Sequence, residues 1–137
     1  MKVICTKILS MDGTETYDSN PSITLGAEYL VTSLLAYSNR PTQLQILTDD
    51  GNSLVWHDSR SFVTSGGSIP DGWEARINDE GTLELAPSSW FVVGLWEDYY
   101  DGDPEAAHVV AAELNKMFAL ERNPDSAPPK EVGPSFN

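Results

Sequence analysis

Sulfur and imidazole chemistry have little to work with in this chain. Cys5 is its one cysteine, and His57 and His108 are its two histidines. No intrachain disulfide can form, and four Cys or His ligands for a structural zinc site cannot be assembled. A lone cysteine without a secretory leader fits a reducing, cytoplasmic setting. The N-terminal apolar stretch is broken by Lys7, and no run nears the roughly 20 apolar residues that span a bilayer. Basic residues are scarce as well: eight Lys and Arg stand against 21 Asp and Glu, a net charge of −13. Nucleic acid and anionic lipid would both be repelled by such a field.

Catalytic signatures are also missing. There is no Gly-x-Ser-x-Gly elbow, P-loop or Gly-x-Gly-x-x-Gly turn. His57, Asp58 and Ser59 are triad residue types, but neighbours in a strand point to opposite faces, and a triad needs convergence in space. A calcium loop with Gly102 at its sixth position would put Tyr99 third and His108 twelfth, where oxygen ligands are required. Paired carboxylates are abundant enough to arise without a catalytic purpose. The residues therefore point to no enzyme, no cofactor and no metal.

The chain does contain one dense window, Gly94 to Ala107, reading GLWEDYYDGDPEAA. Asp103, Pro104 and Glu105 form a helix start: an acceptor at the cap, proline at the first helical position, and a carboxylate in the positive first turn. Upstream, Glu97, Asp98 and Asp101 surround Trp96, Tyr99 and Tyr100. Charge is concentrated here too. Residues 71–105 carry ten acids and only Arg76, so −9 of the total −13. A plain reading is a solvated loop with its aromatics tucked into the core. The sharper reading is a recognition surface for a basic protein, with Trp96, Tyr99 and Tyr100 as anchors. Glu97, Asp98, Asp101, Asp103 and Glu105 would supply the complementary field.

At 137 residues the chain suits one domain. Residues 3–9 read as a first strand and 10–22 as a polar loop. The run 28–38 is apolar on both faces, as in a central, curved strand, with Tyr29, Val31, Leu35 and Tyr37 on one side and Leu30, Leu34 and Ala36 on the other. Residues 42–48 and 53–58 form a hairpin about Asp49-Asp50-Gly51-Asn52; Leu44 and Ile46 face one way and Gln43 and Gln45 the other, Leu54 and Trp56 face inward, and His57 faces solvent. A short strand at 62–64 follows. A second hairpin joins 73–77 to 82–86, and a helical turn is expected near 95–100. From Pro104 to about Arg122, Val110, Leu114, Met117 and Phe118 recur along one helical face. Cys5 reads as a small buried hydrophobe. The fold class expected is α+β: a small curled antiparallel β-barrel with a C-terminal helix packed on it, over 1–122. Residues 123–137 read as a disordered, proline-rich tail.

The segments ITLGAEYLV (23–31) and QILTDDGNSLVW (45–56), with SF (61–62), resemble small SH3-like β-barrels of bacterial and phage proteins. IPDGW (69–73), LELAPSSW (83–90) and GLWEDYYDGDPEAA (94–107) resemble proteins found among the immunity proteins of polymorphic and contact-dependent toxin systems. The resemblance spans roughly 23–120. It implies one-to-one binding and neutralisation of a cognate toxin, and brings no catalytic residues with it. The alternative is a phage or bacterial structural or regulatory interaction module. The oligomeric state is left open.

Overall fold

The computed structural model describes residues 1–10, 12–51 and 53–121. The tail expected to be disordered, 123–137, lies outside the described residues. Among the described residues nine strands precede two helices. They are β1 (Lys2–Cys5), β2 (Ile8–Leu9), β3 (Thr16–Tyr17), β4 (Glu28–Ala36) and β5 (Gln43–Leu47), then β6 (Leu54–Asp58), β7 (Phe62–Gly66), β8 (Trp73–Ile77) and β9 (Leu83–Pro87), followed by α1 (Leu95–Tyr100) and α2 (Pro104–Glu121). Short 3₁₀ turns lie at Ser59–Ser61 and Ser88–Phe91.

β4 organises the sheet because it is long enough to serve three partners. One edge pairs with β5. The other is divided: Glu28–Leu30 pair with β1, and Leu34–Ala36 pair with β9. β7 adds to β1, β6 to β5 and β8 to β9, every ladder antiparallel. The protein is thus an antiparallel sheet with a C-terminal helix, an α+β fold. Among the described residues no ladder joins β6, β7 and β8 to one another, so the strands do not close into a barrel.

The division of β4 coincides with a bulge. Val31 pairs with Ile46 and Ser33 with Gln45, leaving Thr32 as the extra residue. A bulge shifts the alternation of side chains by one. Leu34 therefore joins Tyr29 and Val31 in one core, with Leu44, Ile46 and Phe62, although simple alternation places it opposite them. Thr32 is itself fully buried, and its hydroxyl donates at 3.0 Å to the Gln45 carbonyl, with Oε1 of Gln45 also 3.0 Å away. That contact lets Gln45, expected to face away from the core, be 2 % exposed without a stranded amide oxygen.

A second core lies on the opposite face of β5 and β6, where Leu47 and Leu54 meet Ala86, Trp90, Leu95, Tyr99 and the inner side of α2. Ala106, Val110, Leu114 and Met117 are buried on that side. Phe118, expected to be buried on the same helix face, is only half-buried at its margin. Polar residues 10–22, read as a loop, contain β3, paired with β2. β2 is in turn separate from β1, which breaks at Thr6.

Candidate functional site

The dense acidic window forms a corner between α1 and α2. The chain enters α1 through Gly94, whose φ of 84° lies in the left-handed region that glycine adopts without steric cost. It leaves through Gly102, at φ 86°. The Gly102 N–H donates to the Tyr99 carbonyl at 3.1 Å and the Asp103 N–H to the Asp98 carbonyl at 2.9 Å. This paired bonding is the Schellman arrangement, which satisfies the last carbonyls of α1. Asp103 then caps α2: its carboxylate accepts from the Ala106 N–H at 3.0 Å. One residue closes the first helix and opens the second, so the corner has no slack.

The aromatics form one connected cluster that reaches from the core to the surface. Trp90, 3 % exposed, meets half-buried Trp96 edge-on at 5.2 Å. Trp96 meets Tyr99 at 5.4 Å and Tyr100 at 6.1 Å, and Tyr99 meets Tyr100 at 5.1 Å. Tyr100 is 66 % exposed. Tyr99, expected among the anchors, is instead 2 % exposed. It faces Ala106 and Val110 because it lies one helical turn beyond Leu95, which is buried on the same side. Burial pushes its phenol up to about 12. Tyr99 therefore packs beneath Trp96 and Tyr100 and lies below the surface.

Glu97, Asp98, Asp101, Asp103 and Glu105 are all exposed. The ion pairs join Lys2 to Glu28, Arg60 to Asp58, Arg76 to Glu74 and Lys116 to Glu113, so among the described residues none of these five carboxylates meets a cation. Glu97 and Asp98 lie in the first turn of α1 and Glu105 in that of α2, where the helix ends favour negative charge.

Among the described residues no catalytic constellation forms around the histidines. His57 turns toward the core on the Leu44 side, edge-on to Phe62 at 6.3 Å, and not toward solvent as expected. Its Nε2 is buried without a partner among the described residues, and desolvation lowers its pKa. Asp58 accepts from the Arg60 guanidinium at 2.7 Å and from the Arg60 N–H at 2.9 Å, which holds its carboxyl below the usual range. Asp58 is thus committed away from His57. Cys5 is buried, and burial raises its thiol pKa. Among the described residues no three His, Cys, Asp or Glu side chains cluster to hold a metal ion, and no helix is long and apolar enough to cross a membrane.

A groove that sequence reasoning missed lies over the sheet between Leu35, Tyr37, Trp56 and Arg60, with a volume of about 490 Å³. Arg40 stacks at 3.8 Å on the Tyr37 ring at its rim. Its lining residues come from four separate stretches and form no motif in the chain. Comparison with protein-family models, with curated proteins and with solved structures gives no match.

Proposed function

We propose that this protein is a non-catalytic, acidic binding protein that neutralises a basic partner. In this reading it is a cytoplasmic immunity protein that inhibits a cognate bacterial toxin of the nuclease type. Its bent sheet would be an opened relative of the SH3-like barrel, with β4 shared between two halves. The observation that carries the functional reading is the acidic corner: five exposed carboxylates that meet no cation among the described residues, on a joint fixed by Gly102 and Asp103. Unpaired charges of one sign repel one another, and a basic surface would relieve that repulsion. A nuclease presents such a surface in its substrate groove, where carboxylates can take the place of phosphates. Tyr100 and the exposed edge of Trp96 supply apolar anchors among the charges.

The test changes Glu97, Asp98, Asp101 and Glu105 to their amides and leaves the cap Asp103 intact. The fold should survive, because all four side chains are exposed. With the wild type immobilised, the partner is captured from the source cytosol and identified. Association and dissociation rates are then measured for both proteins at low and high salt. Association should slow and its salt dependence flatten in the amide variant, because long-range steering acts on the on-rate. An unchanged on-rate and salt slope would show that the corner is merely a solvated surface.

A further inference from the structure

We infer that β8 is a self-recognition edge, through which two copies of this chain pair antiparallel about a two-fold axis at Ala75. Among the described residues, β8 has β9 on one side and no strand on the other. Its phase is fixed by flanking bonds in the same register: the Asn78 N–H to the Thr82 carbonyl at 3.1 Å, and the Ser88 N–H to the Gly72 carbonyl at 3.0 Å. In an antiparallel ladder hydrogen-bonded pairs alternate. Glu74 and Arg76 thus direct their backbone groups at β9, while Trp73, Ala75 and Ile77 direct theirs outward. Glu74, Ala75, Arg76 and Ile77 are all exposed, Ile77 to 72 %.

Reversed about Ala75, this strand matches itself. Glu74 falls opposite Arg76 of the second copy, and Arg76 opposite its Glu74. Trp73 falls opposite Ile77, an aromatic against a β-branched residue, a favourable cross-strand pair. The backbone phase agrees. Ala75 meets Ala75, and Trp73 meets Ile77 twice, as hydrogen-bonded positions, which gives roughly six backbone bonds. Glu74 and Arg76 meet at the narrow positions, about 4.5 Å between Cα atoms, where side chains are closest.

Charge selects the occupant. Arg76 is the one base in residues 71–105, among ten acids, and it is already 3.0 Å from Glu74. Charged residues on an edge discourage most added strands. A copy of β8 turns both charges from obstacles into partners. Two five-residue strands bury less than about 1,200 Å², the range of weak associations.

Sedimentation equilibrium tests this over about 0.01–1 mM protein, spanning weak affinities. Salt at about 0.15 M limits repulsion between the rest of the two acidic surfaces to roughly 8 Å. Wild type should dimerise. Glu74→Arg and Arg76→Glu should each weaken dimerisation about tenfold or more, because both cross-strand charge pairs become like pairs. An equimolar mixture of the two should associate again, since one chain then offers two bases and the other two acids. Circular dichroism checks that each variant is folded. If either is not, Ala75→Glu substitutes for it: Ala75 is exposed, and two carboxylates would meet on the axis and abolish pairing. A wild type that stays monomeric throughout overturns the inference. So do variants that dimerise as the wild type does, or a mixture no better than its components.

Discussion

Leu114→Ala examines how α2 is seated. Leu114 is 0 % exposed, among Leu54, Trp90, Tyr99, Val110 and Met117. The truncation removes three carbon groups, about 0.8 kcal/mol of transfer free energy each. If roughly 60–80 Å³ stays open, the cavity adds about 1.5–2 kcal/mol at 24 cal/mol per Å³. The loss is then about 4 kcal/mol, inside the measured range for buried leucines. At an unfolding entropy of about 2.1 cal/mol/K per residue over some 120 residues, the midpoint falls by about 16 °C. Urea unfolding followed by tryptophan fluorescence reads this directly, because Trp90 and Trp96 lie in or against the same cluster. Phe118→Ala, at the margin, should cost only about 1–2 kcal/mol, below the usual figure for emptying a core aromatic site. The order of the two is decisive. Should Phe118→Ala cost more than Leu114→Ala, α2 is rotated by about 40°, the angular offset between positions four apart, and the packing described above is wrong.

Two further outcomes are expected. Thr32→Val removes the hydroxyl that meets Gln45 at the bulge; a buried carbonyl and amide oxygen then lose that partner, at a cost of about 1–3 kcal/mol by chemical denaturation. Tyr99 should titrate late: its folded pKa is raised to about 12, so the stability linked to it is complete below the free tyrosine value of about 10 and is lost as pH rises from there toward 12. Burial and the hydrogen bond to Asp49 raise Tyr29 as well, so ultraviolet phenolate titration should show late tyrosines, and Tyr99→Phe should remove one of them; a Tyr99 phenol of ordinary pKa would mean that the corner opens to solvent.

Local chemistry made much of this fold readable. The turn at Asp49–Gly51, the hairpin at Asn78–Gly81 and the start at Asp103-Pro104-Glu105 are written in residues whose backbone preferences act within a few positions. The strands on either side and both helices fell close to their expected bounds. What failed was non-local. Nothing in EYLVTSLLAYS marks Thr32 as a bulge, because the extra residue is defined only by β5 opposite it. The change of face at Leu34 follows from that one residue. β3 was missed because two exposed residues, Thr16 and Tyr17, carry no periodicity. Phe118 was overvalued because a helix pattern gives the width of an apolar stripe, not its centre. At the acidic corner the residues were evident but their depth was not: Tyr99 and Tyr100 are adjacent and equivalent in composition, and helical rotation buries one and exposes the other.

Asp103 ends one helix and begins the next, and among the described residues it alone of the five carboxylates at the corner bonds to the backbone there. Under the proposed function, folding and recognition would therefore fall to different side chains. Glu97, Asp98, Asp101 and Glu105 can drift, exchange sign or change length with little penalty to the joint that displays them. A lineage pursued by changing adversaries could rewrite these four letters while Gly94, Gly102 and Asp103 keep the page in place.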